Sequence, residues 1–157
     1  MKLIVHTDGG SRGNPGPAAT GVVIERISGG GKLETTSGSG TEIARFGTRI
    51  GETTNNVAEY TAVIEAMTYI HDMTASDSPQ DREHLIIEFY LDSTLVVNQL
   101  NGLFKVKDAT LRGLLMRVRV LEQETGGKVT YHAIPREQNR RADFLVNQAL
   151  DSILMSG

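Results

Sequence analysis

The chain has 157 residues and a formal net charge of −3, and its 39% hydrophobic and 22% charged residues are typical of a globular protein. It contains no cysteine, which excludes disulfide bonds, thiolate metal sites and thiol nucleophiles. No apolar run approaches the ~20 residues that span a bilayer, and the apolar start is too short for a signal peptide. We therefore expect one domain over residues 1–157, cytoplasmic and monomeric, with no membrane partner.

The first third of the chain predicts three strands joined by turns. β-branched and small residues form runs at 2–7, 21–27 and 32 to about 46. A Gly- and Pro-rich segment at 9–17 and a triglycine turn at 29–31 separate them. Short turns join antiparallel strands, so we expect the second strand to run against the first and the third.

The rest of the chain predicts helices that alternate with two further strands. The expected order is a helix from 54 or 55, a strand at 85–91, helices at 92–100 and 108–125, a strand at 128–134 and a helix at 140–154. Strands joined through helices run parallel, so the carboxyl ends of strands one, three, four and five should share one edge of the sheet. This is an α/β fold, in which ligands bind at that edge.

Four carboxylates fall at the same predicted edge. Asp8 ends the first strand and Asp92 ends the fourth, while Glu59 and Asp143 lie in the first turns of the helices that follow strands three and five. Each acid alone is explained by a turn, a helix cap or the helix dipole. Together they would repel one another, which indicates that divalent cations neutralise them. A ligand set of carboxylates without thiols favours Mg²⁺ or Mn²⁺.

The segments that carry these acids resemble type 1 ribonuclease H. They are TDGGSRGNPG at 7–16, TNNVAEY at 54–60, LDS at 91–93 with VVNQLNG at 96–102, and PREQNRRAD at 135–143. The resemblance spans residues 1 to about 150, in order. It implies a ribonuclease H-like fold, which is a five-stranded mixed sheet of order 3-2-1-4-5 with an antiparallel second strand, flanked by helices.

The resemblance also implies an endonuclease that hydrolyses the RNA strand of RNA–DNA hybrids with two metal ions, leaving 3′-hydroxyl and 5′-phosphate ends. The catalytic acids of the family carry over onto Asp8, Glu59, Asp92 and Asp143. Asp8 would contact both ions, Glu59 and Asp92 would hold one of them, and Asp143 the other. Mg²⁺ is the implied cofactor, with Mn²⁺ as its substitute.

Polar and glycine residues near the acids match family positions in the substrate groove. They are Gly9, Gly10, Ser11, Asn14, Thr54, Asn55, Asn56 and Ser93. Glycines permit close approach of a nucleic-acid backbone, and asparagines both donate and accept hydrogen bonds, as contact with a 2′-hydroxyl requires.

The carboxyl-terminal part of the chain supplies basic residues. Residues 1–100 hold 7 basic and 13 acidic residues, whereas residues 101–157 hold 9 and 6. This asymmetry is explained either by chance and solvated helix faces or by a basic phosphate-facing region beside an acidic metal site. The candidates for phosphate contacts are Lys105, Lys107, Arg136, Arg140 and Arg141. A solvated helix face accounts for Arg112, Arg117 and Arg119.

The chain departs from many family members at two places, and two rival functions stay open. It has no tryptophan and only a short connection at 101–110, so the basic protrusion of many members is missing, and Arg136 stands where others have histidine. One rival is another nuclease on the same fold, an exonuclease or a junction resolvase. Such exonucleases place Asp-x-Glu in the first strand, where this chain has Asp8-Gly9-Gly10. The other is a non-cleaving hybrid-binding module, which gains nothing from four mutually repelling acids.

Overall fold

The computed structural model describes residues 1–27 and 40–155, which form five strands, five α-helices and one 3₁₀ turn. The strands are β1 (Lys2–Ser11), β2 (Gly16–Ile27), β3 (Thr41–Thr53), β4 (Ile86–Leu91) and β5 (Lys128–Ala133). The helices are α1 (Asn55–Thr74), α2 (Pro79–Glu83), α3 (Thr94–Leu100), α4 (Ala109–Thr125) and α5 (Arg140–Met155), and the 3₁₀ turn is Arg136–Gln138.

All five strands belong to one mixed sheet of order β3-β2-β1-β4-β5. β2 is antiparallel to both β1 and β3, whereas β4 runs parallel to β1 and to β5. The predicted strand order and directions are therefore confirmed. The carboxyl ends of β1, β4 and β5 lie side by side, as parallel pairing requires.

Helices cover the two faces of the sheet unequally. α1 and α4 pack together over the face to which Leu3 and Val5 of β1 and Phe89 of β4 point, and this side holds the larger core. On the opposite face α5 lies over β2 and β3 and approaches them closely. A Cβ atom at Gly21 would overlap the Ala142 carbonyl oxygen, so glycine is needed there for the helix to pack against the sheet.

Several element boundaries differ from the prediction. β3 covers Thr41–Thr53 rather than 32–46, and β2 begins at Gly16 rather than at residue 21. Backbone pairing between these two strands continues as far as Gly16 and Thr53, and such long-range pairing overrides the local turn signals of glycine and proline. The predicted turn at 29–31 and the predicted strand residues 32–39 lie outside the described residues.

The other differences are smaller. The segment expected to be a polar connector between the first helix and strand four contains the short helix α2, capped by the Ser78 hydroxyl. Both α1 and α4 begin where predicted, with Thr54 and Asp108 as their respective N-caps. Within the described residues, no helix is both long enough and apolar enough to cross a membrane.

Candidate active site

Three acids from distant parts of the sequence meet at the carboxyl ends of the central strands. Asp8, Glu59 and Asp92 each place one carboxylate oxygen within 4.8 Å of the others. Asp8 lies near the end of β1, Glu59 in the second turn of α1, and Asp92 directly after β4. The structure thus brings together three of the four predicted acids in a cluster small enough to hold a cation.

The position of Glu59 follows from close packing between α1 and β1. Its Oε1 accepts a hydrogen bond from the backbone N–H of Gly9 at 2.5 Å. A Cβ atom at residue 9 would overlap the backbone of Ala58 and the nitrogen of Glu59. Gly9 is therefore the residue that allows α1 to come close enough for Glu59 to reach Asp8.

A buried amide, Asn139, connects the elements that carry the other acids. It precedes α5, and its Nδ2 donates a hydrogen bond to the Thr7 carbonyl at 2.9 Å and lies 3.5 Å from Asp92 Oδ2. The backbone carbonyl of Asn139 accepts a hydrogen bond from the backbone N–H of Asp143 at 3.1 Å. Only 1% of Asn139 is exposed. Asn139 was not among the predicted site residues, although an asparagine immediately before a predicted helix is a recognisable capping signal.

Burial and mutual repulsion disfavour ionisation of the clustered acids. Burial, with a further contribution from the Asp92 carboxylate, raises the pKa of Asp8 to about 7. Burial followed by the charge of Asp8 raises the pKa of Glu59 well above its usual range. Burial also raises the pKa of Asp92. The cluster is therefore destabilising when ionised, unless a positive charge is bound in it.

The donor atoms of the cluster suit a hard divalent cation. Every ligand atom it offers is a carboxylate oxygen, which is the preference of Mg²⁺ and Mn²⁺. Asp143 is outside the group of three but lines the same cleft, and its charge contributes to raising the pKa of Asp8. The four residues therefore fit the expected metal site.

The acids lie in an open cleft of about 490 Å³. Residues predicted as substrate contacts also line it, namely Gly9, Gly10, Ser11, Asn55, Asn56, Ser93 and Arg136. Four lining residues were not predicted, namely Arg12, Val146, Asn147 and Leu150. Three of them belong to α5, and their proximity depends on how that helix crosses the sheet, which local sequence does not reveal.

Two predicted contacts, Asn14 and Thr54, shape the cleft without lining it. The Asn14 Oδ1 accepts a hydrogen bond from the Asn55 N–H at 3.0 Å, and the Thr54 hydroxyl caps α1. The Asn55 Oδ1 in turn accepts from the Ser11 N–H at 2.9 Å. These bonds fasten the loop after β1 to the start of α1.

The predicted basic contacts are distributed differently from the expectation. Arg136 lies in the cleft, with Nη2 3.8 Å from Asp143 Oδ1, and its side chain is 80% exposed. Lys105 and Lys107 lie on the connection between α3 and α4 and do not line the cleft. Arg141 was expected to contact phosphate, but its Nη2 is 2.9 Å from Oε1 of the buried Glu25, over the sheet.

Two further basic residues also lie outside the cleft. Arg140, expected to contact phosphate, is exposed at the first position of α5 and is not among the lining residues. Arg119 was expected on a solvated face, yet it donates to the Leu100 carbonyl at 2.5 Å and pairs with Glu122. Arg119 and Arg141 thus each have a partner on a neighbouring element that the sequence did not predict, because a long side chain can reach it.

Comparison with known proteins gives consistent matches over the whole chain. A family model described as "Reverse transcriptase-like" matches residues 6–149. Ribonuclease HI of Halobacterium salinarum is 42% identical over 153 residues, which is 96% of this chain and 65% of that protein. A bifunctional protein of Mycobacterium tuberculosis is 34% identical over 99% of this chain but only 37% of its own length. The chain thus spans less than two thirds of these relatives.

Solved structures match in fold as well as in sequence. LC11-RNase H1, isolated from compost by a metagenomic approach, is 41% identical with a TM-score of 0.79, and the match covers 98% of both chains. The same protein in complex with an RNA/DNA hybrid gives a TM-score of 0.82 at 38% identity, covering 97% of this chain and 99% of that one.

Proposed function

The chain belongs to the type 1 ribonuclease H family, and on that premise we propose that it cleaves the RNA strand of RNA–DNA hybrids internally, leaving 3′-hydroxyl and 5′-phosphate ends. The observation that carries this proposal is the meeting of Asp8, Glu59 and Asp92 within 4.8 Å in an open cleft, with Asp143 beside them. The hybrid complex of LC11-RNase H1 supports the same substrate class.

The four acids are the proposed metal ligands, with two Mg²⁺ or Mn²⁺ ions as cofactor. Bound divalent cations would neutralise the acids, lower the pKa of water and stabilise the leaving 3′ oxygen. The protein's own part is to hold the carboxylates in place before the substrate arrives. The Gly9 N–H holds Glu59, and Asn139 holds the ends of β1 and β4 against the start of α5.

Recognition of the substrate is assigned to the loop after β1 and the start of α1. Ser11, Asn55 and Asn56 line the cleft and offer hydroxyl and amide groups. Such groups both donate and accept hydrogen bonds, which allows contact with a 2′-hydroxyl and hence discrimination of RNA from DNA. Gly10 also lines the cleft, and because it has no side chain, a nucleic-acid backbone can approach the chain there closely.

The test is cleavage of a hybrid whose RNA strand is labelled at its 5′ end, with Mg²⁺, beside RNA–RNA and DNA–DNA duplexes of the same sequence. We expect internal cuts in the RNA of the hybrid alone, with 3′-hydroxyl ends, and no cuts with Asp8→Asn. Stepwise trimming from an end would indicate an exonuclease. A hybrid that is bound but left intact would indicate a binding module, and either result overturns the proposal.

A further inference from the structure

The cleft continues along α5 beyond the acids and ends at a guanidinium that the proposed chemistry does not use. Asp143, Asn147 and Asp151 are four residues apart and so share one face of the helix. Arg12, in the loop after β1, places Nη2 2.7 Å from Asp151 Oδ1 and 3.4 Å from Asn147 Oδ1. Arg12 and Asn147 both line the cleft.

The guanidinium of Arg12 keeps capacity for a further anion. An arginine has five N–H donors in a planar fork, which matches the oxygens of a phosphate group. The contacts of Arg12 side-chain nitrogens with the described part of the chain use Nη2, and 43% of the side chain is exposed. Nε and Nη1 are therefore open to a ligand from the cleft.

The charge of the cleft favours such a group. Its lining includes four acids, which repel a polyanionic substrate, and the two arginines among its lining residues are Arg12 and Arg136. Arg136 lies beside Asp143. Arg12 contacts Asn147 and Asp151, which lie four and eight residues beyond Asp143 along α5, or about 6 to 12 Å at 1.5 Å per residue. Nucleotides advance about 3.4 Å per step, so this distance corresponds to about two to four steps.

We propose that Arg12 contacts a backbone phosphate of the nucleic-acid substrate about two to four nucleotides from the cut, and that Asp151 and Asn147 hold its guanidinium in position. This inference rests on the proposed function. It makes Arg12 a residue for substrate affinity and register, acting away from the reacting phosphate. The competing explanation is that the Arg12–Asp151 pair is a structural tie between the loop and α5.

Two substitutions separate these explanations because they are expected to change affinity in opposite directions. Arg12→Gln removes the cation and should raise KM for the hybrid about five- to tenfold. Asp151→Asn keeps an oxygen that accepts from Arg12 but removes a negative charge, so it should lower KM by about two- to threefold. If the pair is only a structural tie, both variants should change in the same direction, in KM and in the thermal unfolding midpoint.

The measurement is kcat and KM on the labelled hybrid between about 50 and 200 mM salt, with the thermal unfolding midpoint of each variant. For Arg12→Gln we expect kcat within about twofold of the parent and a slope of log KM against log salt that is smaller by about one. Arg12→Lys should recover part of the affinity. Arg117→Gln, an exposed arginine of α4 with the same charge change, is the control.

Three results would overturn the inference. Arg12→Gln could match Arg117→Gln in KM and salt slope, Asp151→Asn could raise KM together with Arg12→Gln, or both could lower the unfolding midpoint without changing the salt slope. Each leaves the proposed function standing, because the parent still cuts the hybrid. A parent that neither binds nor cuts the hybrid overturns both the proposed function and this inference.

Discussion

Asn139 and Thr7 lie 132 residues apart in the sequence and are joined by a buried hydrogen bond of 2.9 Å from the amide Nδ2 to the backbone carbonyl. The same amide lies 3.5 Å from Asp92, and the Asn139 carbonyl accepts from the N–H of Asp143. One side chain and its backbone therefore fix β1, the residue after β4 and the start of α5 relative to one another. The separation of the acids depends on this residue.

We expect Asn139→Ala to lower both stability and cleavage. The substitution leaves the buried Thr7 carbonyl without this donor, which costs about 1–3 kcal/mol in the free energy of unfolding. It also removes the side-chain contacts that hold the start of α5 to β1 and to Asp92, so kcat should fall at least tenfold. Asn101→Ala is the matched control, because it removes a hydrogen bond from a side-chain amide to the Tyr131 carbonyl, which lies outside the cleft. Equal kcat for both variants would contradict the positioning role of Asn139.

A second pair of substitutions tests the close approach of α1 to β1. Gly9→Ala places a methyl group into the backbone of Ala58, so α1 must shift and Glu59 must move from Asp8. We expect a large fall in the thermal unfolding midpoint and loss of cleavage. Gly10→Ala meets its nearest atoms at 3.8 and 3.9 Å and should leave the midpoint close to that of the parent. Equal midpoints for the two variants would refute the role of Gly9 in this packing.

The placement of Asp8, Glu59 and Asp92 at one edge of the sheet was predictable from the sequence because it follows mainly from the order of strands and helices. Once strands one and four are parallel, residues at their carboxyl ends must be neighbours, whatever the side-chain packing. The same holds for a residue in the first turns of a helix that packs on β1. The starts of α1 and α4, which the structure shows capped by Thr54 and Asp108, are equally local signals and were also predicted correctly.

Other parts of the site were not predictable because they depend on contacts between distant segments. The start of β2 and the end of β3 are set by their pairing with each other, which extends through glycine- and proline-rich sequence. Arg12 is held in the cleft by its ion pair with Asp151. Arg141 pairs with Glu25, which the sequence did not predict. Long basic side chains can reach several partners, so their sequence positions alone do not specify where the charge lies.

The pH dependence of stability gives a direct test of the buried acids in the absence of divalent cations. The Asp8 pKa rises from 3.8 to about 7, chiefly through burial, so between these values the folded state holds a proton that the unfolded state has released. The Asp8 contribution to the free energy of unfolding therefore falls as pH rises from about 4 to about 7. Asp8→Asn removes this penalty and should become more stable than the parent by roughly 2–4 kcal/mol at pH 8.

Urea denaturation at pH 5, 6, 7 and 8, in the presence of a chelator, measures the difference in free energy of unfolding between Asp8→Asn and the parent. His6 acts in the opposite sense, because burial lowers its pKa to about 4 and its contribution to stability is lost on acidification from about 6.5 toward 4. His6 is present in both proteins, so its contribution cancels in the comparison. A stability difference between Asp8→Asn and the parent that does not change with pH would show that Asp8 is ionised in the folded protein at low pH.

Addition of Mg²⁺ should reverse this destabilisation, and more strongly at high pH than at low pH. Carboxylates must lose their protons to bind a cation, and a cation that binds only the folded state stabilises it by mass action. We therefore expect saturating Mg²⁺ to raise the thermal unfolding midpoint of the parent several degrees more at pH 8 than at pH 5.5. Asp8→Asn should show a much smaller rise at either pH, because it lacks one of the three clustered carboxylates. An equal rise in parent and variant would mean that the cation binds elsewhere, and the four acids would then need another explanation.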